Sequence, residues 1–241
     1  LKSAMLTNMS HEIRTPLTGI IGFAEAIGDE TEGEDRVSHF AGLIKDSGQR
    51  LLDTLDGVLN LSKLEAGKVD LEAGPVHLAP QVRKVAEEFV PRAEESGLTL
   101  EVEGGEAQAR ANEEGLQIVL QNLLSNAIKY TEEGTVEVRT YRQNGEAVLE
   151  VEDTGIGMDP AQAESLFEPF QQASEGLARE YEGTGVGLAL IRKATEQMGG
   201  AVDVDTRKGE GTCFTVRLPA AEEDGSDQRA NGLVRRTAPQ G

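Results

Sequence analysis

The chain has no tryptophan, one cysteine and only 4% aromatic residues. A single thiol cannot close an internal disulfide or build a cysteine-rich metal centre, so Cys213 is expected to be a core residue of a strand. With so few rings, the core has to be aliphatic. No run approaches the roughly 20 apolar residues of a membrane span, and no signal-peptide pattern is present. The segment is therefore expected to be cytoplasmic and to make no membrane contact. Because the chain opens on Leu1 rather than Met, it is expected to be a piece of a longer protein, with any anchor upstream. Positive charge is also scarce: 23 Lys and Arg face 43 Asp and Glu, a net charge of −20. That surface repels nucleic acid and anionic membranes, which excludes non-specific nucleic-acid binding. It repels nucleotides too, so a nucleotide site must supply its own donors or a metal. Solubility or a salty cytoplasm would account for the acidity equally well.

What is present suits a soluble globular chain of one or two domains: 241 residues, 38% hydrophobic and 27% charged. Residues 2–28 place Met5, Met9, Ile13, Leu17, Ile20, Ile21, Ala24 and Ile27 at helical spacing. After the polar break DETEGED at 29–35, the period resumes over 36–66. Two long amphipathic helices with a short connection form an antiparallel hairpin. Both apolar stripes are wider than one partner helix can cover, which predicts a dimer that closes a four-helix bundle. Gly67 ends the second helix. The predicted organisation is a helical hairpin over 1–72, a linker over 73–80, a second domain over 76–219, and a disordered tail or linker over 220–241.

The second domain mixes element types. Helices are expected over about 79–96, 113–130 and 185–198, with a short one over 159–168. A short extended piece is expected at the start of the segment VHLAP (76–80), and strands over 98–104, in a hairpin turning at Asn144-Gly145, and in a terminal hairpin turning at Gly209 and Gly211. This is an α+β sandwich, a mixed sheet with helices on one face.

Three clusters carry chemistry. In QNLLSNAIKYT (121–131), Asn122, Asn126 and Lys129 share a helical face. Two amides and an ammonium there could reach a phosphate and a hard metal, since Mg²⁺ accepts amide oxygens beside phosphate oxygens; a solvated polar face is the plain alternative. In VEDTGIGMD (151–159), a strand ends in Asp153 before Gly155 and Gly157. That spacing lets backbone approach a planar ligand while the carboxylate accepts from it, as from an adenine amino group; a simple turn reads the same way. In EGTGVGLAL (182–190), Gly183, Gly185 and Gly187 run into an apolar helix, leaving backbone N–H groups at a helix N-terminus, an anion site. The stretch fits neither a dinucleotide fingerprint nor a P-loop. Between the last two clusters, Phe167 and Phe170 suggest an apolar hinge, and the polar loop at 171–182 a lid. His39 and His77 lack metal-ligand spacing and read as surface or linker residues.

Taken in order, MSHEIRTPL (9–17), Asn122–Thr131, Asp153–Gly157, LFEPF (166–170) and Gly183–Gly187 resemble the catalytic core of the sensor histidine kinases of two-component systems. They match its phospho-acceptor box, N box, first glycine box, F box and second glycine box. Each motif alone is modest, but five in the right order leave little room for coincidence. The resemblance spans residue 1 to about 219.

The resemblance implies a homodimeric hairpin bearing the histidine, a Bergerat-type ATP-binding domain, ATP with Mg²⁺, and the receiver domain of a response regulator as partner. It makes His11 the phosphorylated residue, Glu12 the base that takes its proton, and Thr15 a residue that places water for regulator dephosphorylation. A neutral imidazole beside a carboxylate suits that chemistry. Asn126 would hold Mg²⁺ with Asn122 nearby, and Lys129 would touch a phosphate. Tyr130 would lie against adenine or ribose, and Asp153 would accept from the adenine amino group beside Gly155 and Gly157. Gly183, Gly185 and Gly187 would hinge the lid, and Arg179 would reach the γ-phosphate. Pro16 removes a backbone N–H one turn beyond His11, so a kink is expected that could serve a switch between activities. Relatives of the gyrase and Hsp90 type usually carry a water-activating Glu at the place of Asn122, which favours a kinase over an ATPase. The alternatives are such an ATPase or a non-catalytic dimeric scaffold.

Overall fold

The computed structural model describes residues 13, 16–24, 26–27, 34–65, 73–171 and 185–221. Gly67, the 29–33 connection and the 222–241 tail lie outside them.

The first helix, α1, includes residues 16–24, and α2 runs Glu34–Glu65. They meet where Phe23 stacks on Phe40, ring centroids 6.1 Å apart, and where Gly19 lies against the Ser47 hydroxyl. The pairs 19/47 and 23/40 run in opposite senses, as an antiparallel hairpin requires. Leu17, Ile21, Leu52, Leu55 and Leu59 stay exposed, an unpartnered apolar stripe on the hairpin.

The second unit is built on a five-stranded sheet of order β2-β4-β5-β7-β6. Its strands are β2 (Thr99–Gly104), β4 (Thr135–Gln143), β5 (Glu146–Asp153), β6 (Ala201–Arg207) and β7 (Gly211–Pro219). The β2/β4 pair is parallel and the others are antiparallel, so the sheet is mixed as the sequence predicted. Asn144 and Gly145 both take positive φ, 52° and 83°, which matches the twist of a two-residue hairpin loop. Along β4, Val136, Val138 and Thr140 point into the core, while Glu137, Arg139 and Tyr141 face out.

Helices α3 (Leu78–Glu95), α4 (Glu113–Lys129) and α6 (Gly187–Gln197) pack around the core. The short α5 (Pro160–Ala163) and a 3₁₀ turn at Ser165–Phe167 replace the single helix expected at 159–168. Helix α4 starts because Asn112 caps it, its side chain accepting from the Gly115 N–H at 3.1 Å, and because Glu113 and Glu114 complement the helix dipole. It buries Leu116, Val119, Leu120, Leu123 and Leu124 and so turns Asn122 and Asn126 to the other side.

The 73–80 stretch is not a linker. Gly74–His77 form β1, which pairs antiparallel with β3 (Gln108–Ala111), and α3 starts at Leu78. Val76 and Leu78 are buried, which pins the segment. Ala220 bridges to Ala109, and the Ala221 N–H donates to the Gln108 carbonyl at 2.9 Å, so the chain leaves the domain beside the same strand.

Cys213 lies on a strand but not in the core. Phe214, Val216 and Leu218 take the inner face of β7, which puts Cys213 on the outer one. There it adjoins Glu150, Glu152 and Arg139, and burial with the two carboxylates pushes its thiol up to about 11. On this face Arg139 pairs with Glu137, Glu150 and Glu152. The half-exposed network is worth little stability.

The two parts touch where α2 meets α6. Leu61 and Leu64 join the core, Gly57 lies against Val186, and the Gln197 amide donates to the Leu64 carbonyl.

Candidate functional site

Four sequence clusters converge at one end of α4. Asn122 donates to the Ile118 carbonyl at 2.7 Å, which fixes its amide with the oxygen turned toward Gly187. A Cβ on Gly187 would stand 3.0 Å from that oxygen and 3.8 Å from the Asn126 amide nitrogen. The start of α6 therefore lies directly on the amide pair. Among the described residues no side chain caps this helix start, and the start of a helix next to two neutral amides suits an anion. In a chain of net charge −20, this is where a phosphate can be received.

A run of backbone bonds joins Asn126 to Asp153. The Tyr130 N–H donates to the Asn126 carbonyl at 2.9 Å, and the Ile156 N–H donates to the Tyr130 carbonyl at 3.0 Å. The Gly155 N–H donates to Asp153 Oδ1 at 2.9 Å. Gly155 has to be glycine because a Cβ would stand 2.2 Å from the Tyr130 oxygen, and Gly157, at φ 58°, would bring one within 1.9 Å of the Arg207 oxygen. Asp153 is buried, and that burial raises its carboxyl to about 6, against the lowering effect of the Gly155 and Thr212 N–H groups. Near neutral pH it is an ionised acceptor held by backbone donors, the form that would read an amino group.

Lys129 donates to the Tyr130 hydroxyl at 3.1 Å and lies 4.7 Å over the same ring. Burial first, then the charge of Arg92, lowers its ammonium to about 8. It stays a cation at pH 7 but a weakly held one. At the base of the segment after the F box, the Phe170 N–H donates to the Gly185 carbonyl at 2.7 Å, and both residues have φ 65°. Phe167 is buried edge-on to Phe214, with the Arg192 guanidinium 4.2 Å over its ring and bonded to Glu164.

The structure thus gathers Asn122, Asn126, Lys129, Tyr130, Asp153, Gly155, Gly157, Gly185 and Gly187. His11, Glu12, Thr15, Arg179 and Gly183 lie outside the described residues. His77 is exposed and meets only Gln108, and His39 is exposed beside Phe40. Among the described residues no cluster of three His, Cys, Asp or Glu side chains could hold a metal. Asn122 and Asn126 do fit a hard cation that takes most of its ligands from phosphate and water. A shallow hollow lined by Glu132, Glu133, Thr154, Gly155, Ile156 and Gly209 adjoins the same loop, but its two carboxylates make it unfit for phosphate.

Sequence reasoning missed Thr206, Gly211 and Thr212, which back the Asp153 loop from the terminal hairpin. Gly211, at φ 101°, would put a Cβ 1.9 Å from the Asp153 carbonyl oxygen. The signal was present: Gly209-x-Gly211-Thr212 is more glycine than a hairpin turn needs.

Two family models match the chain. "His Kinase A (phospho-acceptor) domain" covers residues 1–67, and "Histidine kinase-, DNA gyrase B-, and HSP90-like ATPase" covers 111–222. The autoinducer 2 sensor kinase/phosphatase LuxQ of Vibrio parahaemolyticus is 34% identical over 232 residues, 92% of this chain and 27% of that protein. The circadian input-output histidine kinase CikA of Synechococcus elongatus is 39% identical over 228 residues, 90% and 30% respectively. The chain thus spans less than a third of the length of these relatives. The crystal structure of full-length ShkA in complex with AMPPNP has a TM-score of 0.66 at 32% identity, covering 91% of this chain and 46% of that one. Histidine kinase ThkA in complex with response regulator protein TrrA has the same fold, with a TM-score of 0.72 at 22% identity over 90% of this chain and 61% of that one. Among the described residues, no helix is long and apolar enough to cross a membrane.

Proposed function

Since the chain belongs to the sensor histidine kinases of two-component systems and carries their phospho-acceptor and ATP-binding domains, we propose that it is an ATP-dependent protein-histidine kinase. It phosphorylates itself at His11 and passes the phosphoryl group to an aspartate of a response-regulator receiver domain. The observation that carries this reading is the contact of the Asn122 and Asn126 amides with the start of α6, joined by backbone hydrogen bonds to the buried Asp153.

The roles are those the family resemblance implies, and that geometry supports them for the residues it includes. Asp153 accepts from the adenine amino group, and Tyr130 lies against the base or ribose. Lys129 and the first N–H groups of α6 receive phosphate oxygens. Asn126, with Asn122 beside it, would hold Mg²⁺, which would neutralise phosphate charge when bound. Gly183 and Gly185 hinge the segment that carries Arg179 to the γ-phosphate. A neutral imidazole nitrogen of His11 attacks the γ-phosphorus, the bond to the bridging oxygen breaks, ADP leaves, and Glu12 takes the imidazole proton. Asn122 is an amide, so this position offers no carboxylate to activate water, and the γ-phosphate persists for His11.

The exposed apolar stripe of α1 and α2 supports a homodimer closed as a four-helix bundle. The ThkA complex supports a receiver domain as partner. The name of LuxQ, a kinase and phosphatase, supports a second activity in which Thr15 places water. The segment acts on the cytoplasmic side, the hairpin occupying 1–72 and the ATP-binding domain running from β1, which starts at Gly74, to Ala221. The test is incubation with γ-labelled ATP. Wild type is expected to gain acid-labile label, and His11→Gln none while still binding nucleotide. Equal labelling of the two, or steady ATP turnover that survives His11→Gln, would refute the proposal.

A further inference from the structure

Strand β6 is one of the two edge strands of the sheet, and Val202, Val204 and Thr206 share its inner face. Thr206 is almost fully buried, between exposed Asp205 and Arg207. Valine would fill the same space and suits a strand as well, so packing does not call for a hydroxyl there. The hydroxyl is nevertheless fully used. It accepts from the Met158 N–H at 2.9 Å, donates to the Gly211 carbonyl at 3.1 Å, and shares a 3.0 Å bond with the Thr212 hydroxyl. Since a hydroxyl has one proton and two lone pairs, donation to Gly211 assigns the proton of the third bond to Thr212.

Those partners are the two walls around Asp153. Met158 ends the glycine loop that Asp153 begins. Gly211 faces the Asp153 carbonyl, and the Thr212 N–H donates to the Asp153 carboxylate. The other bonds on the loop act before Met158: Thr154 bonds to Thr135, the Gly155 N–H reaches Asp153, the Ile156 carbonyl accepts from the Gly209 N–H at 2.7 Å, and the Ile156 N–H reaches Tyr130. Thr206 ties the far end of the loop, at Met158, to the strand that also supplies a donor to Asp153.

We propose that Thr206 is a positioning residue for base recognition: through Met158, Gly211 and Thr212 it fixes the Asp153 carboxylate where it distinguishes an amino-bearing purine from an oxo-bearing one. The inference rests on the reading of Asp153 given above. Removing the hydroxyl takes away the partner of the half-buried Met158 N–H and one donor to the buried Gly211 carbonyl. The loop relaxes, and affinity for ATP falls while affinity for GTP, which never had a matched partner, does not.

The test measures dissociation constants of ATP and GTP for the intact chain by titration, with thermal melting in parallel, for wild type, Thr206→Val, Thr206→Ala and Thr206→Ser. Val and Ala are expected to weaken ATP roughly tenfold, the size of one lost hydrogen bond to a recognition group. GTP is expected to be unchanged, so the preference collapses, and Ser is expected to restore it. Alanine adds no bulk, so it carries the comparison if the valine variant does not fold. Three results overturn the proposal: wild-type discrimination in Val or Ala, parallel loss of both nucleotides, or unfolding of both variants. A wild-type chain that binds no adenine nucleotide overturns the underlying reading as well, whereas normal wild-type binding with an unchanged Thr206→Val overturns this inference alone.

Discussion

Replacing Gly155 with alanine tests whether the glycine loop and the end of α4 form one rigid site. The added methyl would stand 2.2 Å from the Tyr130 carbonyl oxygen, 2.8 Å from its carbon and 2.9 Å from Asp153 Oδ1. Comfortable carbon–oxygen approach begins near about 3.3 Å, so the loop must retreat by about 1 Å. Gly155 is not among the residues with positive φ, so the cost is contact rather than backbone conformation. The retreat has to break the Ile156 N–H bond to Tyr130 or the Gly155 N–H bond to Asp153. A buried polar group left unpaired costs about 1–3 kcal/mol, which converts to about 5- to 150-fold in affinity. The assay is titration with a fluorescent ATP analogue, with a melting curve for each variant. Gly74→Ala is the control, because a Cβ there meets nothing within 4 Å. If Gly155→Ala stays within about twofold of wild type in affinity and melts at the same temperature, the tight apposition of loop and helix is refuted.

The Asp153 carboxyl titrates near 6 in the folded chain against an ordinary 3.8. Two effects of known sign follow. Nucleotide affinity is expected to fall as pH drops through about 6, because the protonated acid is a poorer acceptor; Asp153→Asn should flatten that dependence, and an unaltered profile would exclude Asp153 as its source. In the free chain, the folded state keeps this proton where the unfolded state has lost it, so this group's contribution to stability declines as pH rises from about 4 to about 6; melting curves of wild type and Asp153→Asn across that window would expose it. Thr195 is buried, and its hydroxyl is the one buried side-chain oxygen without a partner among the described residues. Thr195→Val keeps the shape and is expected to add about 1 kcal/mol of stability, read as a higher melting temperature; a lower one would contradict the assignment.

The long helical period of α2, the alternation of β4 and β5 and the glycine clusters were legible in the sequence because each signal is local and repeated. Of the small β1/β3 sheet only the extended start of the segment was, and neither β3 nor the pairing. Its strands are only four residues long, and what holds them is pairing across more than 30 positions of chain, which no local pattern encodes. The inner or outer assignment of Cys213 failed for a related reason: a half-apolar residue on an alternating strand takes its face from its neighbours Phe214 and Thr212, not from its own polarity. At the site, Asn122, Asn126 and Asp153 were singled out by the order of five motifs together, since each spacing alone reads equally well as a polar helix face or a turn. Thr206 and Thr212 were hidden because threonine in a strand reads as a packing residue, and only the three-dimensional bonds reveal what the hydroxyls hold.

The strand β3 lies between the strand by which the chain enters the ATP-binding domain and the Ala220 bridge by which it leaves. Incoming and outgoing backbone are thus two strand spacings apart, about 10 Å. The domain hangs from the chain as a bead hangs from a loop of thread. A rigid swing about that loop leaves the distance between its two ends nearly unchanged, so whatever follows Ala221 need neither stretch nor slacken when the domain turns. The surface shared by α2 and α6 resists the swing.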